Sequence, residues 1–337
     1  MATLWFCLVA IMIAGYVILD GFDLGAGIVH LFVAQTDPER QSVLRSIGPV
    51  WDGNEVWLLA GGGTLYFAFP ALYAASFSGF YLPLMIVLWL LILRGIAVEL
   101  RNHIDSNLWR PLWDAVFAFA SLLLAVFYGA ALGNVVRGVP LDASGYFFLP
   151  LWYDLRAGSN AGILDWYTIL SGVTALAALT LHGALWVALK TADPVQGRAR
   201  QIATRTWPAV LVLTLALTAA SFSIQPHLGE RFSSAPWGFI FPLIAIAGLA
   251  GMWLKRKPAQ ETAAFLSSCT FLLGMLTSVV FGVYPMVLPS STSPAYSLTI
   301  YNAAADPHGL VIGLAWWLPG MFLALIYTVF IYRRFAN

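Results

Sequence analysis

Residues 56–93 read VWLLAGGGTLYFAFPALYAASFSGFYLPLMIVLWLLIL, without a single Asp, Glu, Lys or Arg. A helix crosses the hydrocarbon core of a bilayer with about 20 apolar residues, so this stretch holds the end of one span and the start of another. Pro70 and the small residues Ala74, Ala75 and Ser76 mark the break between them. The pattern continues in both directions. Residues 1–19, 115–136, 166–189, 206–226, 232–254, 262–305 and 309–332 are equally free of charged side chains. The chain reads as an all-α, polytopic membrane protein with nine spans, at roughly 5–33, 46–69, 77–101, 113–136, 160–189, 205–224, 236–254, 263–287 and 309–332. Two four-helix bundles plus one peripheral helix would package nine spans, and 1–337 forms a single integral membrane domain.

Composition supports the same class. The 337 residues are 60% hydrophobic, 15% aromatic and only 10% charged, with a mean hydropathy of +0.80. A soluble domain carries roughly 25% charged residues. A net charge of +1 with no basic stripe excludes a nucleic-acid partner. Cys7 and Cys269 lie in apolar surroundings without CxxC or metal-ligand spacing and read as core filler. The first span begins near Thr3 without a basic leader region or a small-residue cleavage site, so no removable signal peptide is expected.

Basic residues orient the spans. With the N-terminus outside, fourteen of the seventeen Lys and Arg fall at the inner side, and only Arg137, Arg156 and Arg231 lie in outer loops. The positive-inside rule then puts the N-terminus outside and the C-terminus in the cytoplasm. The longest connections, about 137–159, 225–235 and 288–308, are outer ones.

Against this apolar background stand two acidic units, Asp20-Gly21-Phe22-Asp23 and Asp52-Gly53-Asn54-Glu55. Each puts two carboxyls one helical turn apart on one face. A carboxylate in hydrocarbon is expensive and rare unless it has a partner, a water path or a task. Counting helical rise from the inner surface puts Asp23 about 15 Å deep, Asp20 about 20 Å, and Asp52 and Glu55 roughly 9–14 Å. Arg94 and Glu99 lie toward the inner end of the third span, so these groups gather in the inner half. A plain ion pair between Arg94 and one or two acids would hold three spans together, but it leaves acids in excess. Some therefore keep a proton or face a counter-charge from a second protein, and both conditions suit a proton relay.

The other polar residues say less. His182 lies well inside a span and reads as a hydrogen-bonded core residue; no second histidine at matching depth suggests a haem pair. No zinc or copper ligand spacing occurs, so no metal is assigned. Trp51 and Trp57 could stack on a quinone headgroup or line an interface, although an aromatic belt is the commoner role.

Asp20-Gly21-Phe22-Asp23-Leu24-Gly25 followed by Gly48-Pro49-Val50-Trp51-Asp52-Gly53-Asn54-Glu55-Val56-Trp57-Leu58 resembles the second subunit of cytochrome bd-type quinol oxidases. Tyr73-Ala74-Ala75, Phe77-Ser78-Gly79-Phe80-Tyr81, Gly133-Asn134, Gly138-Val139-Pro140 and Pro285-Met286-Val287-Leu288-Pro289-Ser290-Ser291 extend the resemblance in order along the chain. It implies a nine-helix, N-outside subunit in a bacterial cytoplasmic (inner) membrane. The complex would take electrons from quinol and reduce oxygen to water. Haems b and d and the quinol-oxidising loop would belong to a larger haem-bearing subunit I. This chain would bind no haem itself, would contact lipids and a structural quinone, and could meet small single-span accessory subunits. By the same resemblance Asp52 is the proton-pathway acid, with Asp23 and Arg94 as companion buried charges; Asp20 and Glu55 join the expected pathway through their places in the two acidic units, and some relatives carry Gln where Glu55 stands. The rival expectation is a proton-coupled secondary transporter, which buried acids and glycine-rich spans would also serve.

Overall fold

The computed structural model describes residues 1–158 and 161–334. Its helices are α1 (Ala2–Val33), α2 (Asp37–Ile47), α3 (Trp51–Ala68), α4 (Pro70–Gly79), α5 (Tyr81–Leu100), α6 (Trp109–Arg137), α7 (Trp166–Lys190), α8 (Val195–Ile224), α9 (Pro226–Ser234), α10 (Ile240–Leu254), α11 (Glu261–Val283) and α12 (Pro307–Arg334). Among the described residues, eight helical segments are long and apolar enough to cross a membrane, and α3 with α4 makes a ninth if that bent pair is one span.

The second and third spans differ most from the sequence expectation. The proposed start at 46 falls on the end of α2, a separate helix closed by a Thr36–Glu39 capping box with Pro38 in its first turn. A turn at Gly48, Pro49 and Val50 then redirects the chain, and α3 begins only at Trp51. This shortens the path from the helix start, leaving Asp52 in the first turn rather than two turns deep. At the far end, Pro70 pushes Phe69 out of helical geometry (φ −135°, ψ 65°), and α4 leaves α3 at 120°. The third span therefore starts at Tyr81, after α4, rather than at 77. The expected fifth span start at 160 lies outside the described residues; α7 begins at Trp166, where the Asp165 side chain accepts the N–H groups of Tyr167 and Thr168.

α1, α3, α5 and α6 pack together, as do α7, α8, α10 and α11, and contacts of α1 and α6 with α7 join the two groups. α1 is the central element, buried along Asp20–His30. It crosses α7 backbone to backbone, where Gly25 faces Gly183. A methyl group on Gly25 would lie 2.6 Å from the Gly183 Cα. Such close crossings let dispersion and weak backbone contacts act between helices where lipid offers no hydrophobic drive. α12 lies against the outside of the first group, held by Trp5 Nε1 donating to the Leu310 carbonyl (3.1 Å) and Trp317 Nε1 to Thr64 Oγ1 (3.2 Å).

The two ends of the bundle differ. One gathers the N-terminus, α9 and a two-stranded ladder of β1 (Met286–Leu288) with β2 (Leu298–Thr299). The other gathers α2 and the basic connections, with Arg198 Nη1 donating to the Val33 carbonyl at 3.0 Å. We call these the N-terminal end and the basic end.

Candidate functional site

Three helices bring the acidic units together. Arg94 on α5 is buried and donates from Nη1 to Asp20 Oδ1 on α1 (2.6 Å) and from Nη2 to Glu55 Oε2 on α3 (3.0 Å). Asp23, one turn from Asp20, accepts from Asn54 Nδ2 at 2.8 Å. Asn54 also donates to the Leu19 carbonyl and accepts from the Tyr332 hydroxyl on α12 at 2.8 Å. Four helices thus share one buried polar network.

Its charge does not balance. One guanidinium serves two carboxylates, and Asp23 has only a neutral amide as donor. Asp20 Oδ2, Asp23 Oδ1 and Arg94 Nε are buried without a hydrogen-bond partner among the described residues. Such atoms normally find protein or ordered water, so the network suits bound water. A hydroxyl pair, Tyr16 to Tyr128 at 2.8 Å, lies between α1 and α6.

Of the residues expected from sequence, Asp20, Asp23, Glu55 and Arg94 meet. Asp52 does not join them: it is exposed at the start of α3. Glu99 is also exposed and outside the network. Trp57 lies against Gly15 of α1 and Trp51 against Gly95 of α5, and both side chains are half-buried. Asn54 and Tyr332 are additions the sequence reading did not supply. Asn54 sat inside the second acidic unit, where an amide between two acids is itself a signal for a buried carboxylate partner; Tyr332, 278 residues away from Asn54, carried none.

A crevice at the basic end reaches this network from the side. It is lined by Ser42, Arg45, Pro49, Trp186 and Lys190, with Tyr332 on its wall, and about 280 Å³ of it admits water.

A second cluster locks the same end. Asp114 on α6 contacts His30 Nε2 (2.7 Å) and accepts from Arg101 Nε (2.6 Å) and Arg40 Nη1 (3.1 Å). Arg101 continues to Asp37 at 2.7 Å, tying α2 to the α5–α6 connection. At the N-terminal end, Arg137 pairs with Asp165, the α7 cap.

Four of the five histidines make side-chain contacts within the chain. Both ring nitrogens of His182 are engaged, Nδ1 with Ser268 Oγ (2.7 Å) and Nε2 with the Ile18 carbonyl (2.9 Å), as expected of a core histidine. His30 gives Nε2 to Asp114, and His103 and His227 contact backbone carbonyls. No buried pair of free imidazoles faces across a bundle among the described residues.

Residues 1–335 match the family described as cytochrome bd terminal oxidase subunit II. The chain is 32% identical to the Bacillus subtilis cytochrome bd ubiquinol oxidase subunit 2, over 98% of this chain and 95% of that one. It is 29% identical to the Escherichia coli cytochrome bd-I ubiquinol oxidase subunit 2, covering 98% and 93% respectively. Its fold is similar to a chain in the structure of the bd oxidase from Geobacillus thermodenitrificans, with a TM-score of 0.73 at 16% identity over 99% of this chain and 98% of that one.

Proposed function

The chain belongs to the cytochrome bd terminal oxidase subunit II family, and from that premise we propose that it is the haem-free second subunit of a quinol:oxygen oxidoreductase. It assembles with a larger haem-bearing subunit, faces the cytoplasm with its basic end, and brings protons inward from that side. Its place is a bacterial cytoplasmic membrane, with the N-terminus outside. Fourteen of the seventeen Lys and Arg toward one side support that orientation.

The observation that carries the reading is the unbalanced buried network of Asp20, Asp23, Glu55 and Arg94, with buried carboxylate oxygens that lack a partner. A fixed ion pair needs neither the extra acids nor the open oxygens. A relay needs both: acids that exchange a proton, and water between them. Asp52, exposed at the start of α3 and one helical turn from Glu55, is the outermost acid of this route. Facing lipid its charge would be costly, whereas polar groups of a partner subunit, or water held between the subunits, would match it. Glu55, Arg94 and Asp20 continue inward from there, and Asn54 steadies Asp23 beside them.

The haems of the partner subunit supply the oxygen chemistry when bound; the histidines of this chain offer them no axial pair. This chain's residues hold and pass protons. If those protons come from the cytoplasm while quinol releases its own outside, turnover builds a gradient without a pump. Family membership gives the transporter alternative no support.

Purification through a tag on this chain tests the assembly first: haem b and d bands with a larger co-purifying protein are expected. Asp52→Asn then tests the relay. Haem content should persist while oxygen consumption falls roughly tenfold to a hundredfold. Full turnover in an assembled Asp52→Asn complex would sink the relay.

A further inference from the structure

The second bundle carries a feature the proton network does not use. Between α7, α8, α10 and α11, at the basic end, an open-sided slot of about 460 Å³, counting the space at its mouth, runs over Leu181, Leu185, Ala203 and Met252. These four are buried, and the part that admits water is only about 30 Å³, so the slot is a shallow apolar crevice that is open mainly at its mouth. Its rim holds Arg200, Lys255, Arg256 and Lys257 against the single carboxylate of Glu261.

We propose that this slot binds one anionic phospholipid of the leaflet at the basic end, with its phosphate on Lys255, Arg256 and Lys257 and an acyl chain against Leu185, Trp207 and Met252. Arg200 pairs with Glu261, which cancels the one acid and leaves three cations over the opening. The Glu261 carboxylate also accepts the N–H of Ala259 at 3.2 Å, at a left-handed backbone position (φ 66°), which ties the turn after the three cations to the start of α11. Trp207 and Trp253 stand at the same level with ring centroids 4.7 Å apart, and the Arg256 guanidinium lies 3.5 Å from the Trp253 centroid. Indole rings of this kind favour the headgroup layer.

The positive-inside rule alone accounts for a basic loop, but not for an apolar crevice directly beneath it. A quinone has no charge for three cations to meet. A soluble phosphate compound would leave the apolar wall unused. A diacyl phosphate lipid matches both parts, as basic pockets between spans do elsewhere.

The test uses the whole complex, purified in mild detergent through a tag on this chain, with haem bands as the measure of assembly. Native mass spectrometry follows retention of added phosphatidylglycerol against phosphatidylcholine. One retained phosphatidylglycerol is expected, and not displaced by excess inorganic phosphate. The combined Lys255→Gln, Arg256→Gln and Lys257→Gln variant should lower that retention on the order of a hundredfold, from about fivefold for each of the three basic groups. All three residues are exposed, so the fold tolerates the change. Thr204→Trp, exposed on the slot wall, should block retention with every rim charge in place. Arg333→Gln with Arg334→Gln, on α12, should leave it unchanged. Equal retention of the two lipids, an unaffected triple variant, or displacement by inorganic phosphate overturns the proposal.

Discussion

Arg94 on α5 and Asp20 on α1 meet at 2.6 Å with both side chains almost wholly buried, and Arg94 turns its second nitrogen to Glu55 on α3. Three spans therefore depend on one guanidinium. Removing one partner of a buried pair leaves the other charge stranded, at about 3–5 kcal/mol. Arg94→Gln should accordingly abolish recovery of the haem-bearing complex or lower its thermal midpoint sharply. Arg94→Gln with Asp20→Asn should recover part of the loss, because it removes both charges. A double variant no better than the single would show that the two residues do not act as a pair.

Asn54 is the hinge of the other half of the network, donating to Asp23 and accepting from Tyr332. Tyr332→Phe deletes one hydroxyl at the wall of the crevice, a change of about 1 kcal/mol. Asn54→Leu strips Asp23 of its donor. Both variants should assemble with normal haem bands. Oxygen consumption should fall more in Asn54→Leu than in Tyr332→Phe, and equal turnover in the two would separate Asp23 from the proton route.

How much of this was legible in the sequence depends on the kind of signal. Long uncharged runs fixed the helices, since hydrocarbon thickness acts on every span alike. The partnership of Arg94 with the acids followed from scarcity: a single cation inside the third span has few places to go. The extra turn at Gly48–Val50 was not legible, because α2 is amphipathic and its boundary with α3 carries the same residue types as a span entrance. Nor was the Asp114 cluster, assembled from groups on α1, α2, α6 and the α5–α6 connection that look like ordinary loop charges when read one by one. Asp52 and Glu55 share a face by spacing, yet α3 turns Glu55 toward Arg94 and leaves Asp52 outside. Only the packing of α3 on its neighbours decides that split.

Gly25 and Gly183 allow α1 and α7 to touch, and the two bundles are joined through that contact. A side chain at either position meets backbone, which cannot swing away as a flexible side chain would. Overpacking of a core costs about 1–3 kcal/mol even where neighbours can adjust. Gly25→Ala and Gly183→Ala should therefore each reduce the yield of assembled complex, whereas Gly62→Ala, with nothing within 4 Å in this chain, should not reduce this chain's own folding. Heat stability of the tagged complex, followed by loss of the haem bands, distinguishes them.

Glu39 in α2 offers a test outside the spans. Its carboxylate accepts the Gln35 N–H at 2.7 Å and Arg198 Nη1 at 2.7 Å, and these bonds hold it below the usual carboxylate range. A carboxyl depressed on folding contributes stability above its unfolded value, about 4.3, and loses it as pH falls through the folded value. The thermal midpoint of Glu39→Gln should lie below that of the unchanged complex at neutral pH. The gap should narrow as pH drops below about 4.3 and close once Glu39 is protonated in the folded protein. High salt should also narrow it, because the bridge to Arg198 is only partly shielded from solvent. A gap that stays constant with pH would mean that the carboxylate charge of Glu39 plays no part in holding α2 to α8.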